Sequence, residues 1–155
     1  MKITLITVGK TKQSWLQDGI NEYLPRLSGY YDLKFIELKE EKLSPTFTRE
    51  KCIDAEGQAI LKSIPTDTFL IILDEKGKEF TSIEFASFLR KHQDQGKNLT
   101  IAVGGAYGLS AMVKSRADLL LSLSKLTFTH QMIRPILLEQ LYRAATINQG
   151  KEYHY

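Results

Sequence analysis

The segment LTIAVGGAYGLS at residues 99–110 joins an apolar run of strand length to a glycine-rich loop and a candidate helix cap. Leu99–Val103 is almost continuously apolar, which is typical of a parallel strand covered on both faces. Gly104 and Gly105 follow it directly, and Ser110 is a residue type that caps helices. Adjacent glycines allow a ligand to approach the backbone closely, but a tight turn would explain them equally well.

Runs of the same kind recur along the chain and alternate with helical patterns. The other predicted strands are Lys2–Val8, Leu33–Leu38, Thr68–Leu73 and Leu119–Leu123. The predicted helices are Ser14–Leu27, Arg49–Ile64, Ser82–Gln95 with Ser82 as its N-cap, a short helix from Ser110 to about Arg116, and about Gln131 to Asn148. This order predicts one α/β domain over residues 1–155, with a mostly parallel sheet and helices on both faces. Residues 39–48 are predicted to form a long surface loop.

The composition is that of an ordinary globular protein. Of the 155 residues, 43% are hydrophobic and 25% are charged, which matches an average soluble domain. The single cysteine, Cys52, rules out an intrachain disulfide and is expected to be a small buried apolar residue. The apolar start is too short for a signal peptide or a membrane segment, so we expect a cytoplasmic protein. A formal net charge of +3 permits an anionic partner without requiring one.

Two segments beyond the glycine loop are candidate binding loops. LDEKGK at 73–78 is expected to be a turn-like loop that closes the third strand, with solvated charges. Ser122–His130 is rich in hydroxyl groups, and such a loop can hold a ligand through its main chain while apolar side chains form the pocket wall. His130 by itself is more simply a helix-start or packing histidine than a catalyst. No second histidine stands at metal-ligand spacing and a lone cysteine excludes a zinc cluster, so no metal is expected.

Glu139 and Arg143 stand four residues apart on the last predicted helix, with the glutamate first. This is the favourable order for a simple helical ion pair. The apolar neighbours Leu137, Leu138 and Leu141 suggest instead that part of the pair is buried at an interface. Together with Ile136 they exceed what one sheet face readily covers, which predicts a homodimer.

Four segments together resemble one family: VGGAYGL at 103–109, SLSKLTFTHQMIR at 122–134, LLEQLYRA at 137–144 and the terminal Tyr153-His154. In order and spacing they are similar to the ribosomal RNA large subunit methyltransferase H family, small members of the SPOUT (trefoil-knot) superfamily. MKITLITVGK at the start and LDEKGK match as well, so the resemblance covers essentially the whole chain. It implies S-adenosylmethionine as methyl donor and N3 of a pseudouridine in helix 69 of 23S rRNA as acceptor. It also implies a homodimer and a deep C-terminal knot, which no periodicity shows.

The resemblance further implies which residues form the site. The donor pocket would use Leu73, Gly104, Gly105, Leu123, Ser124, Lys125, Leu126, Thr127 and Phe128. The methyl-accepting site would use Glu139, Arg143, Tyr153 and His154. Glu139 and His154 can each hold a proton reversibly, so either could accept the N3 proton. Arg143 is suited to anchoring a phosphate or the negative charge that develops on the base.

Two residues depart from the family pattern. Thr129 stands where the family often has proline before the histidine, so the loop loses one rigid element. Pro135 stands in the final helix, where it removes an N–H and would clash with the carbonyl of Gln131 in a helix interior. Either the helix begins near Arg134 or its first turns are kinked.

A different class of function is a non-catalytic α/β module that binds RNA or associates with the ribosome. Only the enzyme needs a donor pocket, so stabilisation by S-adenosylmethionine separates the two. A nicotinamide-dependent dehydrogenase is disfavoured, because its glycine motif belongs after the first strand and these glycines follow the fourth.

Overall fold

The computed structural model describes residues 1–151, which form five strands and five helices in three layers. The elements alternate along the chain: β1 (Lys2–Val8), α1 (Ser14–Ser28), β2 (Asp32–Leu38), α2 (Arg49–Ser63), β3 (Thr68–Lys78), α3 (Ser82–Asp94), β4 (Asn98–Val103), α4 (Ala111–Arg116), β5 (Leu119–Leu121) and α5 (Ile133–Asn148). Tyr153 and His154 lie outside the described residues. None of the helices in residues 1–151 is long and apolar enough to span a membrane.

The sheet has the order β2-β1-β4-β3-β5, and every neighbouring pair is parallel. The predicted parallel α/β architecture is therefore confirmed. Helices α1, α3 and α5 bury the larger apolar cluster against one face, and α2 and α4 bury the smaller cluster against the other. Cys52 is fully buried in α2, as predicted. The knot implied by the family resemblance stays a prediction.

The expectation that residues 73–78 form a turn is wrong. Strand β3 continues to Lys78, with a shift of register between Leu73 and Lys78, and Lys78 pairs with Leu121 of β5. Gly77 permits this close pairing, because a Cβ placed there would lie 2.6 Å from backbone atoms of Leu120 and Leu121. The glycine thus marks an irregular strand rather than a turn. Strand β5 ends at Leu121, two residues earlier than predicted.

One of the two predicted helix caps is correct. The hydroxyl of Ser110 accepts a hydrogen bond from the N–H of Val113 at 3.3 Å and caps α4. Helix α3 is capped by Thr81 and not by Ser82. The Thr81 hydroxyl accepts from the N–H of Glu84 at 3.2 Å, and the Glu84 carboxylate accepts from the N–H of Thr81 at 2.7 Å. This reciprocal pair satisfies two amides that the first helical turn leaves free.

Pro135 fits α5 because the helix begins only two residues before it, at Ile133. The first N–H groups of a helix have no intrahelical acceptor, so a proline in the first turn removes no helical bond. The N–H of Arg134 donates to the carbonyl of Gln131 at 3.3 Å. Gly19 of α1 provides room for the ring, since a Cβ there would lie 3.2 Å from Cβ of Pro135. Of the two alternatives, the helix truly begins near Arg134.

The side chain of Arg134 is only 1% exposed and ties the start of α5 to the carboxyl end of β1. Its Nη2 donates to the carbonyl of Val8 at 2.6 Å, and Nη1 donates to the carbonyl of Gly9 at 2.7 Å. Nη1 also donates to the hydroxyl of Thr11 at 3.0 Å, and Nε donates to the carbonyl of His130 at 3.0 Å. Burial lowers the pKa of this guanidinium, and the nearby carboxylates of Glu37 and Glu40 oppose that shift.

We expect Arg134→Met to lower the free energy of unfolding by about 3 kcal/mol or more, because buried carbonyls lose their donors. Arg134→Lys keeps the charge without the planar fork, so its free energy of unfolding should lie between those of the wild type and Arg134→Met. Arg90, exposed and paired with Asp94 at 2.9 Å on α3, is the matched control. Its replacement by Met should cost about 0.5 kcal/mol or less. Urea unfolding of the four proteins measures this, and equal losses for Arg134→Met and Arg90→Met would contradict the structural role.

Candidate functional site

A cavity of about 630 Å³ opens at the carboxyl edge of the sheet. Its walls are the end of β3 at residues 73–76, the loop after β4 at residues 103–109, and residues 121–124 and 126–130, which run from the end of β5 toward α5. Parallel sheets bind ligands at this edge, where loops from several strands converge. The volume lies within the range of small-molecule sites.

Eight of the nine predicted donor-binding residues line this cavity: Leu73, Gly104, Gly105, Leu123, Ser124, Leu126, Thr127 and Phe128. The ninth, Lys125, is exposed and does not line it. The structure thus gathers residues that lie up to 55 positions apart in the chain (73 to 128) around one space. That they hold a methyl donor stays a prediction.

The hydroxyls of the 122–129 segment bond mainly to the segment itself. Ser122 Oγ donates to the carbonyl of Ser124 at 2.8 Å, and Ser124 Oγ accepts from the N–H of Leu126 at 3.0 Å. Thr129 Oγ1 accepts from the N–H of Met132 at 3.2 Å, so this departure from the family pattern supplies a side-chain bond of its own. Backbone groups and apolar side chains therefore form much of the cavity wall.

The glycine loop forms a tight turn, and other atoms of the protein approach its backbone closely. The N–H of Gly108 donates to the carbonyl of Gly105 at 3.2 Å, and Gly108 has a φ of 93°. A Cβ on Gly105 would lie 2.6 Å from Oε2 of Glu56, and one on Gly104 would lie 2.7 Å from Cγ of Leu109. Both glycines are thus required by atoms of the protein that pack against the loop.

Glu56 is a buried carboxyl group that was not among the predicted site residues. Its residue is 2% exposed, and Oε1 accepts from the N–H of Glu41 at 3.0 Å. Oε2 has no hydrogen-bond partner within residues 1–151. Burial raises the pKa of Glu56, the bond from the Glu41 amide lowers it, and the Glu40 and Glu41 carboxylates raise it further. Its position on the face of α2 that bears Cys52 and Ile60 is the one signal of burial.

Asp74 also escaped prediction, because the charges at 73–78 were expected to be solvated. Its side chain is 6% exposed and lines the cavity, and its Oδ2 lies 2.6 Å from Nζ of Lys114. The N–H of Lys76 donates to Oδ1 at 2.9 Å. The bond from Lys114 is the main reason that the pKa of Asp74 lies below its usual range. The expectation does hold for Glu75, Lys76 and Lys78, which are exposed.

The Glu139 and Arg143 side chains form an ion pair that lies apart from the cavity. Nη2 of Arg143 lies 2.6 Å from Oε1 of Glu139, and the two side chains are 24% and 18% exposed. The leucines beside them do not form an apolar surplus, contrary to expectation. Leu137, Leu138 and Leu141 are each fully buried within the chain itself.

A model of the SPOUT methyltransferase family matches residues 1–154. The chain belongs to this family. Among its relatives is a protein of Trichlorobacter lovleyi named "Ribosomal RNA large subunit methyltransferase H", which is 45% identical over 100% of both chains. Proteins with the same name from Halothermothrix orenii and Carboxydothermus hydrogenoformans are 45% and 46% identical, each over 99% of both chains.

Two solved structures share the fold. A probable methylase family protein from Haemophilus influenzae has a TM-score of 0.53 at 14% identity, covering 99% of this chain and 70% of that one. A putative methylase family protein from Neisseria gonorrhoeae has a TM-score of 0.51 at 12% identity, covering 91% and 80%. Within residues 1–151 of this SPOUT chain, no group of three or more His, Cys, Asp or Glu residues is placed to hold a metal ion.

We expect Gly105→Ala to destabilise this SPOUT methyltransferase by about 1–3 kcal/mol, since the new methyl group meets the Glu56 carboxyl. In the double variant Gly105→Ala/Glu56→Ala that obstacle is gone, so the two changes should couple by about 1 kcal/mol or more. Gly29→Ala is the control, because nothing lies within 4 Å of a Cβ there and its φ is −76°. Thermal unfolding of each protein decides it, and strictly additive losses would contradict the contact.

Proposed function

We propose that this chain is an S-adenosylmethionine-dependent methyltransferase that modifies N3 of a pseudouridine in helix 69 of 23S rRNA on the assembled ribosome. The observation that carries the proposal is the cavity of about 630 Å³, walled by the segments through which the chain resembles its family. Full-length relatives named ribosomal RNA large subunit methyltransferase H support rRNA as the substrate. A ribosomal substrate also implies that the protein works in the cytoplasm.

The cavity residues suit such a donor. S-adenosylmethionine supplies an electrophilic methyl group on a positively charged sulfur. The backbone of Gly104 and Gly105 lines the cavity, and Leu73, Leu123 and Phe128 provide apolar surface for the base of the donor. Asp74, whose pKa is lowered beside Lys114, holds a negative charge in the wall. Lys114 lines the same wall, so the pair places both a carboxylate and an ammonium beside the proposed donor.

Methyl transfer needs two reactants held in line, and the chain's contribution is chiefly positioning. Arg143 presents a fork of donors suited to an rRNA phosphate or to negative charge on the acceptor base. Glu139 keeps that fork oriented through bonds to Nε at 2.9 Å and Nη2 at 2.6 Å. His154, Tyr153 and Glu139 are proposed to contact the acceptor base.

We further propose that the active unit is a homodimer in which each chain's tail serves its partner's cavity. Helix α5 has 16 residues and is about 24 Å long, and it starts beside the cavity at Ile133. Lys151 lies at the opposite end, where its Nζ contacts the hydroxyl of Tyr30 at 3.1 Å. The three residues from Lys151 to His154 extend at most about 10 Å, too short to return to the same cavity.

Exposed apolar side chains support a second copy near this edge. Trp15, in the first turn of α1, is 57% exposed, and Leu126 is 76% exposed. Pro135 and Ile136 in the first turns of α5 are half-buried. Helix α1 packs beside them, with Gly19 next to Pro135. A two-fold contact would cover this surface in both copies.

The direct test is mass spectrometry of 23S rRNA nucleosides after ribosomes that lack the modification are incubated with the protein and S-adenosylmethionine. We expect methylated pseudouridine with the wild-type protein and none with Ala106→Trp, which adds an indole to the loop that lines the cavity. S-adenosylhomocysteine should raise the melting temperature of the wild-type protein only. If the wild-type protein shows neither product nor stabilisation, the result favours the non-catalytic ribosome-associated module.

Mixing two inactive variants tests the shared site. We expect Ala106→Trp and His154→Ala each to lose methylation, whereas the exchanged mixture regains about a quarter of wild-type activity. In a mixed dimer, the intact tail of one chain meets the intact cavity of the other. Each homogeneous sample is the control, and a mixture with no activity, despite confirmed subunit exchange, would contradict tail exchange.

A further inference from the structure

His130 lies where the cavity loop meets the start of α5, and it lines the cavity. Its backbone is held from two sides. Nε of Arg134 donates to its carbonyl at 3.0 Å, and the N–H of Ile133 donates to the preceding Thr129 carbonyl at 3.1 Å. The sequence alone favoured a packing or helix-start role for this histidine. The structure instead places it on the wall of the proposed reaction site.

The other ionisable groups that line the cavity are poor proton acceptors near neutral pH. Lysine, arginine and tyrosine side chains keep their protons there, and carboxylates bind protons weakly. Asp74 is further committed to Lys114 at 2.6 Å, and Glu75 is exposed on β3. Glu139 lies outside the cavity in its ion pair with Arg143. Imidazole is the side chain whose proton affinity matches this pH range.

The surroundings of His130 keep that imidazole in its neutral, proton-accepting form. Burial is the main cause that lowers the pKa of His130, followed by the Arg134 charge. Two groups from other loops act in opposite directions: Glu40 raises the pKa and Lys12 lowers it. Lys12 and Glu40 are themselves paired at 3.2 Å. The N–H of Lys12 donates to Oε1 of Gln131 at 2.8 Å, which holds this loop beside the histidine.

We propose that His130 is the general base that removes the proton from the acceptor nitrogen during methyl transfer. This role rests on the proposed function. The N–H bond breaks, its proton moves to a ring nitrogen of His130, and the electron pair left on the acceptor nitrogen forms the new N–C bond. The C–S bond breaks with its electron pair going to sulfur, which becomes a neutral thioether. The imidazolium then returns its proton to water.

The first experiment compares turnover and donor affinity in His130→Gln. Losing a general base should lower kcat by about 100-fold or more, since such bases contribute about 10²–10⁴. The affinity for S-adenosylhomocysteine and the melting temperature should stay close to wild type. Added imidazole should restore part of the activity of His130→Gly. A loss of donor affinity or stability equal to the loss of kcat would show a packing role and overturn the proposal.

The second experiment uses the pH dependence of kcat at saturating substrate. The wild-type rate should fall on the acidic side as His130 takes up a proton, with a midpoint below the usual histidine value. Lys12→Gln removes a charge that lowers this pKa, so the midpoint should move to higher pH. Glu40→Gln removes a charge that raises it, so the midpoint should move to lower pH. The two variants are thus matched and opposite.

The outcomes distinguish a failure of the base role from a failure of the proposed function. If wild-type protein methylates no rRNA, the proposed function fails and the base role fails with it. If the wild type is active and His130→Gln keeps full turnover, only the base role is overturned. An acidic limb that is unmoved in both charge variants likewise overturns it.

Discussion

The bonds from the Arg134 guanidinium to the carbonyls of Val8 and Gly9 decide the path of the last third of the chain. Strand β5 ends at one edge of the sheet, and β1 lies three strands away in the order β2-β1-β4-β3-β5. With about 4.8 Å between neighbours, the chain must cross about 14 Å to bring Arg134 to β1. It does so over the carboxyl ends of β3 and β4. The cavity loop is therefore a consequence of where α5 is anchored.

An arginine is well suited to that anchor. The carboxyl end of β1 presents carbonyls in the interior, where water does not serve them and an apolar side chain would leave them unsatisfied. The guanidinium reaches two such carbonyls, one hydroxyl and the carbonyl of His130 at once. Within residues 1–151 no carboxylate bonds to it, so the charge is stabilised by oriented main-chain dipoles and by the more distant Glu37 and Glu40. The bonds give direction as well as energy, because the fork fixes the angle at which α5 starts.

Local patterns predicted the scaffold well and the interior polar groups poorly. Apolar periodicity found all five strands and five helices, because these elements are defined by which face they bury. Thr81 could have been found in place of Ser82, since Glu84 stands three residues after it, as a capping box requires. Asp74, Glu56 and Arg134 were beyond reach, because a charged residue is ordinarily assigned to the surface and each has a partner from another part of the fold, 15 to 126 positions away in sequence. Pro135 was a warning of an irregular helix start, but its partner Gly19 comes from another helix.

Glu56 and Arg134 approach the carboxyl end of the sheet from opposite faces, and both act on the main chain. Arg134 comes from the α5 side and holds the carbonyls at the end of β1, whereas Glu56 comes from the α2 side and holds the amide of Glu41. A Cβ on Gly105 would lie against both Glu56 Oε2 and, at 3.1 Å, Val8 Cγ1. The glycine loop therefore packs directly against the end of the sheet that Glu56 and Arg134 hold. The wall at 122–128 is supported differently, by hydroxyl bonds within the loop, and its Leu126 side chain is exposed. Because the wall is supported within its own loop, it can open locally without breaking the buried bonds at the end of the sheet.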